Sequence, residues 1–428
     1  MRICIIILDG VGIGAMPDAS QYGDEGAHTL GNIYAKRGKL DLPNLYAMGL
    51  AHIRDSGLSC AAGLSGVQPP TAAYGRMAAK TRAKDTTSGH WELAGLIMEP
   101  PFATFTQFPV ELLAKWIMRA SEEGLWQLNS TGKMVWQGGQ DISLDAPKAA
   151  SAGMWSPGGL KPYLGNYPAS GTQIIDDLGE VHMQTGAPIV YTSADSVFQV
   201  AAHEEIIPIN IQYRLCQLAR ELLVGEYIVG RVIARPFIGN PGAFSRTKNR
   251  RDYAVPPTGK TLLDALAAKG QHTLGIGKIE DIFCGRGVAR SIHTKTNTDG
   301  INETIKALES AKDETLIFTN LVDFDMLYGH RNNPEGFAAA LEYFDSRLPE
   351  INAVLKPGDL LIITSDHGCD PTTPSTDHSR EYVPVLVYGE GVQAVDLGTR
   401  STFADVAATI YDALGHGAWP VGEPFFSM

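Results

Sequence analysis

The sequence predicts an α/β fold, a largely parallel sheet flanked by helices, with a smaller α+β domain inserted into it. Three observations predict this. Short apolar runs at Ile3–Leu8 and at residues 315–322, 359–364 and 383–388 do not alternate with polar residues. Such runs suit strands buried on both faces. Helix-period segments at residues 302–310, 336–348 and 403–414 fall between or after these runs, and strand–helix alternation is the mark of a parallel sheet with helices on both faces. Between about residue 100 and residue 255 the text turns irregular, with Gly, Pro and aromatic clusters, and the proline pairs Pro100-Pro101 and Pro256-Pro257 bracket it. Residues 1–100 and 256–428 are therefore expected to share one discontinuous core, with residues 101–255 as the insertion. Two consecutive domains are the alternative division.

Length and charge narrow the function. At 428 residues the chain is comfortable for two domains, and 44% apolar residues supply a real core. Lys and Arg number 35 against 47 Asp and Glu, a net charge of −12, so no general electrostatic pull toward a phosphate backbone or an anionic membrane exists. Neither nucleic acid nor membrane is expected as a partner. The cysteines Cys4, Cys60, Cys216, Cys284 and Cys369 are odd in number, widely spaced and without C-x-x-C, which fits a reducing compartment. With no apolar stretch of about 20 residues and no signal-like start, a soluble, cytoplasmic protein is expected.

Three apolar runs end in acid: Asp9 after the first, Asp323-Phe324-Asp325 after the second, and Asp366-His367 after the third. In open parallel sheets ligands bind beyond the carboxyl ends of the strands. Three aspartates at one edge would repel each other unless a cation sat among them. One such Asp is commonly a helix cap; three with His330, His367 and His378 nearby are harder to dismiss. Mixed Asp and His donors suit Mn²⁺, Zn²⁺ or Mg²⁺, with His favouring the first two. His28, His52, His182, His203, His272 and His293 lack such company and are expected to be structural. A hydroxyl nucleophile is offered by the run from Lys84 to Trp91, although a plain helix N-cap reads equally well there. Spacing does not choose among Thr86, Thr87 and Ser88. Any of them would need activation, which a coordinating metal can supply.

Taken in order, several motifs resemble those of bacterial phosphopentomutases, in the alkaline phosphatase superfamily, over nearly the whole chain. They are Leu8-Asp9-Gly10-Val11-Gly12-Ile13-Gly14, Lys84-Asp85-Thr86-Thr87-Ser88-Gly89-His90-Trp91-Glu92, the run from Tyr191 to Gln199, and the run from Arg231 to Gly239. Gly277-Lys278-Ile279, Val322-Asp323-Phe324-Asp325 with Tyr328-Gly329-His330, and the run from Thr364 to Asp370 complete them. The resemblance implies an alkaline-phosphatase-like core with a cap, or lid, domain. It implies Thr86 as the residue that carries a phosphoryl group, and two Mn²⁺ ions. One would be held by Asp9, Asp366, His367 and the Thr86 oxygen, the other by Asp325, His330 and His378. Asp325 is preferred to Asp323 because it stands at the family's distance from His330. Two divalent cations against three carboxylates leave about +1, which attracts phosphate despite the acidic chain, and paired metals can clamp both oxygens of an in-line displacement.

The implied reaction interconverts ribose 1-phosphate and ribose 5-phosphate, or the deoxyribose equivalents, through phosphothreonine and a pentose 1,5-bisphosphate. A sugar bisphosphate could serve as activator. Matching substrate-binding positions are Ser193, Asp195, Val197, Arg231, Ile233 and Lys278, with Arg231 and Lys278 gripping the distal phosphate. One stretch departs from the family: residues 123–162, with Trp126, Trp136 and Trp155 and little periodicity, are longer than expected and read as a surface elaboration or subunit contact. The alternative activity is a metal-dependent phosphatase or phosphodiesterase of the same superfamily. A phosphoglycerate mutase, which carries serine at the nucleophile, and a non-enzymatic sugar-phosphate binder rank lower. Oligomeric state is not legible.

Overall fold

The computed structural model describes residues 1–58, 69–141, 162–193 and 196–426. The chain forms two compact units, Met1–Pro101 with Pro256–Met428, and Phe102–Val255.

The first unit is built on an eight-stranded sheet. Its order is Arg290–Ile292, His272–Ile276, Thr315–Leu321, Ile3–Leu8, Leu360–Thr364, Val383–Gly389, Ala73–Met77 and Asp396–Arg400. All residues of Ile3–Leu8, Thr315–Leu321 and Leu360–Thr364 are buried, as continuous apolar runs require. The first five strands run parallel. Val383–Gly389 is antiparallel to both neighbours, although its apolar pattern matches that of the parallel strands. No helix lies between Thr364 and Val383, and without a crossover helix an adjacent strand returns antiparallel.

Register determines where the chemistry lies. Leu8 pairs with Leu321 and Ile7 with Thr364, so Asp9, the segment after Leu321 and Ser365-Asp366 all leave the same edge. Three predicted helices occur as Asn297–Ser310, Pro334–Ala353 and Asp405–Ala413. The first two start at side-chain caps, Thr296 accepting from Asp299 N and Asn333 from Gly336 N. Phe337, Leu341, Phe344 and Leu348 of Pro334–Ala353 pack with Leu8 and Phe324 in one apolar cluster.

The second unit carries its own sheet, ordered Arg251–Ala254, Arg231–Ile238, Val197–His203, Ile189–Thr192 and Leu164–Pro168. It has its own core, in which Phe108, Trp116, Phe198 and Leu215 meet. The expectation for residues 123–162 is corrected over its described part. Trp126–Leu128 and Met134–Trp136 form a hairpin, and Trp136 is buried with its indole N–H donating to Gly186 O at 2.7 Å. This is core material rather than surface elaboration: the aromatic rings gain more from burial than the Gly- and Ser-rich text around them suggests. Trp155 lies outside the described residues.

Candidate metal centre

Helix Thr86–Leu93 begins at Asp85, whose side chain accepts from Ser88 N at 3.0 Å and from Ser88 Oγ at 2.8 Å. Ser88 is thereby spent on the cap. Thr86, the first helical residue, places Oγ1 3.1 Å from His367 Nε2. Among the described residues it alone of the three candidate hydroxyls bonds to a residue of the acidic edge. Gly89 lets the helix come this close, since a Cβ there would sit 2.1 Å from Asp366 O.

After Leu321 the chain makes one wide turn, Phe324–Gly329, closed by His330 N donating to Asp325 O at 3.0 Å. Such π-turns recur at functional sites. This one brings residues five apart together, with Asp325 Oδ2 3.2 Å from His330 Nε2. Asp325 Oδ1 lies 3.3 Å from His378 Nε2, Asp9 Oδ1 3.3 Å from His367 Nε2, and Asp366 Oδ2 3.4 Å from the same nitrogen. Asp323 is directed elsewhere. It accepts from Asn297 N at 2.7 Å and serves the start of helix Asn297–Ser310.

These residues fit a divalent cation. His367 Nδ1 and His330 Nδ1 face the carbonyls of Gly368 and Thr376 at 3.0 and 2.6 Å. An N–H donated there leaves the Nε2 lone pair for a metal. Asp9 Oδ1, Asp325 Oδ1, Asp366 Oδ2 and His378 Nε2 are buried without a hydrogen-bond partner; they lie close to one another but not in donor–acceptor alignment. Two overlapping donor groups result, Asp325 with His330 and His378, and Asp9 with Asp325 and His367, each with one ligand atom per residue and all atoms within 4.8 Å of one another. Asp366 Oδ2 lies beside the second group, 3.4 Å from His367 Nε2 and 3.0 Å from His90 Nδ1.

Electrostatics agree with the geometry. Burial, reinforced by the charge of Asp366, pushes the Asp9 carboxyl up. Burial also opposes the Asp325 charge, but the imidazoles of His330 and His378 set against its two oxygens override it and hold that carboxyl well below its usual range. For Asp366 burial is outweighed by His367 and His90, giving about 2; for His367 it is outweighed by Asp366 and Asp9, giving about 10. The upward push on His367 and His330 reflects the carboxylates converging on them, and such a cluster invites a bound cation.

Two contributors were missed in the sequence. His90 is fully buried, four residues after Thr86, with Nδ1 2.9 Å from Thr86 O; its place in the threonine motif was the available signal. Asn320 donates from Nδ2 to Asp9 Oδ2 at 2.9 Å, and nothing local marked it. Lys278 is half-buried at the carboxyl end of strand His272–Ile276, after Gly277, whose positive φ of 83° and close approach to Asn320 O admit only glycine. In the second unit Val197 pairs with Arg231 across adjacent strands. Val197 and Ile233 are buried, Arg231 is exposed and Ser193 is half-buried. Asp195 lies outside the described residues. The histidines expected to be structural behave so where contacts define them: His28 caps helix Thr29–Arg37, and His182 and His203 bond backbone groups.

The family profile described as Metalloenzyme superfamily matches residues 1–417. The chain is similar to the phosphopentomutase of Carboxydothermus hydrogenoformans, 53% identical over 97% of this chain and 96% of that protein. It is similar to those of Caldanaerobacter subterraneus subsp. tengcongensis, 50% identical over 99% and 97%, and Acetivibrio thermocellus, 49% identical over 99% and 98%. Among solved structures, a phosphoglycerate mutase of Leishmania mexicana aligns over 99% of this chain and 96% of that chain, at 13% identity and a TM-score of 0.45. With relatives near half identity along its full length and a metal-fitting cluster at its sheet edge, the chain belongs to the phosphopentomutase family of the metalloenzyme superfamily.

Proposed function

We propose that the chain is an isomerase that interconverts ribose 1-phosphate and ribose 5-phosphate, and their deoxyribose equivalents, through a phosphorylated Thr86. The observation that carries this is the single hydroxyl, Thr86 Oγ1, set 3.1 Å from a histidine shared by the buried carboxylates. Divalent cations, two Mn²⁺ in this reading, held by Asp9, Asp366 and His367 and by Asp325, His330 and His378, would neutralise phosphoryl oxygens and favour the Thr86 alkoxide.

The residues of the chain do the rest. Helix Thr86–Leu93 presents Thr86 rigidly, and His367 orients its oxygen. Phospho-Thr86 gives its phosphoryl group to the free hydroxyl of the pentose monophosphate; the Oγ1–P bond breaks, a sugar O–P bond forms, and the hydroxyl proton passes to the freed Thr86 Oγ1, to return to the sugar oxygen released when Thr86 is phosphorylated again. The bisphosphate turns over, Thr86 Oγ1 takes the other phosphoryl group, and the isomeric monophosphate leaves. Arg231 and Lys278, with Ser193, Asp195, Val197 and Ile233, position the sugar phosphate. Residues 101–255 serve as the cap that limits water, because hydrolysis would discharge phospho-Thr86. A sugar bisphosphate would recharge it. Among the described residues no helix is long and apolar enough to cross a membrane, and we place the activity in the cytoplasm.

The test is incubation of purified protein with Mn²⁺ and ribose 1-phosphate, scoring ribose 5-phosphate against free phosphate. Ribose 5-phosphate formed without steady phosphate release supports the proposal, and Thr86→Ala should abolish it. Steady phosphate release without isomerisation would show a phosphatase instead.

A further inference from the structure

We propose that Glu381 is a positioning residue for the metal centre, its carboxylate clamping together the chain segments that carry Asp9, His367 and His378. Its role rests on the reading above that these residues hold divalent cations, and every group involved belongs to the first unit.

The first observation is what the carboxylate holds. Glu381 is 2% exposed. Its Oε2 accepts from Gly14 N at 3.1 Å and from Thr29 N at 2.8 Å. Its Oε1 accepts from Thr29 Oγ1 and from Ser379 Oγ, each at 2.7 Å. Gly14 belongs to the loop that leaves the sheet edge at Asp9, and Ser379 directly follows His378. Gly368, which follows His367, is paired to Ser379: Ser379 N donates to Gly368 O at 2.8 Å and Gly368 N to Ser379 O at 3.2 Å. The carboxylate lies against this pair. A Cβ on Gly368 would sit 2.5 Å from Glu381 Oε1, and a Cβ on Gly12 would overlap Oε2, so both glycines make room for one side chain.

The second observation is how Glu381 is mounted and what its charge meets. Beside it, Tyr382 N donates to Gly14 O and Tyr382 O accepts from Ile13 N, both at 2.8 Å. Strand Val383–Gly389 starts at the next residue, so the clamp is anchored on the sheet. Among the described residues no Lys, Arg or His forms an ion pair with Glu381, and the groups that act on it are hydrogen-bond donors and another acid, Asp370. A buried carboxylate without a cation is costly unless hydrogen bonds satisfy it. Here those bonds run to the Asp9 loop, to the residue after His378 and to the start of helix Thr29–Arg37. That is how outer groups hold metal ligands in place.

The test is titration of the metal-free, full-length protein with manganese chloride, free Mn²⁺ being followed by its electron paramagnetic resonance signal at a temperature where every variant is folded. Glu381→Ala should weaken Mn²⁺ binding about tenfold or more. Glu381→Gln removes the charge and keeps the clamp, because the amide oxygen can face the two N–H groups while the Thr29 and Ser379 hydroxyls turn to accept from the amide nitrogen; it should bind within about threefold of wild type. Asp345→Ala is the control for a merely structural carboxylate. Asp345 is 1% exposed and accepts from Leu45 N at 2.7 Å and Asn44 Nδ2 at 2.9 Å, on segments that carry no ligand. Its loss should lower the melting temperature and leave Mn²⁺ binding unchanged. If Glu381→Ala does not fold, Thr29→Val, which removes one donor at nearly constant size, takes its place and should weaken binding about threefold or more. Unchanged binding in the deciding variant, an equal loss in Glu381→Gln, or an equal loss in Asp345→Ala would overturn the clamp alone. Wild-type protein that takes up no Mn²⁺ would overturn the metal reading, and the clamp with it.

Discussion

Replacing Gly89 by alanine should cripple turnover while sparing the fold. Gly89 lies in helix Thr86–Leu93, where a Cβ would stand 2.1 Å from Asp366 O and 2.8 Å from Asp366 C. Both are backbone atoms, so no side chain can swing aside. Relief to an ordinary contact requires the helix and the Asp366 turn to part by about 1 Å, and such overpacking costs about 1–3 kcal/mol. The helix carries Thr86 and the turn carries Asp366 and His367. The 3.1 Å approach of Thr86 Oγ1 to His367 Nε2 would open to about 4 Å, beyond hydrogen-bond reach. The 3.0 Å contact of His90 with Asp366 would stretch as well. A misplacement of about 1 Å at reacting groups costs about 100-fold in rate. Steady-state conversion of ribose 1-phosphate, run beside thermal melts, measures both effects. The expected result is kcat reduced about 100-fold, KM changed much less, and a melting temperature lowered by a few degrees. A folded Gly89→Ala enzyme with kcat within about threefold of wild type would refute the reasoning.

Asn320→Ala removes the donor to Asp9 Oδ2 and should weaken metal affinity or activity about tenfold or more, read by metal titration followed by turnover. Trp136→Ala should cost the second unit about 3–5 kcal/mol, because the indole is buried and its N–H bonds Gly186 O; unfolding in urea, followed by tryptophan fluorescence, checks it. His182 supplies a pH test. Burial lowers its pKa from 6.5 to about 4 in the fold, so the unfolded chain takes up the proton first as pH falls. The stability due to the neutral ring is complete above about pH 6.5 and is lost as pH falls toward 4, about 3 kcal/mol in all. Urea unfolding at pH 7 and pH 4.5, compared with His182→Asn, should show the wild type losing more; equal losses would remove His182 as the cause.

Much was legible without coordinates. Apolar runs without alternation mark strands buried on both faces, and acids at their ends mark the edge where ligands bind, because burial and charge are written locally. The order of the motifs was enough to place the chain in its family. Other features needed the folded chain. The direction of Val383–Gly389 follows from a return without a helix, which an apolar pattern cannot encode. The wide turn that brings Asp325 to His330, the capture of Ser88 by Asp85 that leaves Thr86 facing His367, and the roles of His90 and Asn320 all depend on which segments become neighbours. Period and composition tell a residue how buried it will be. Sheet register and close backbone approach, set by residues hundreds of positions apart, decide what it meets.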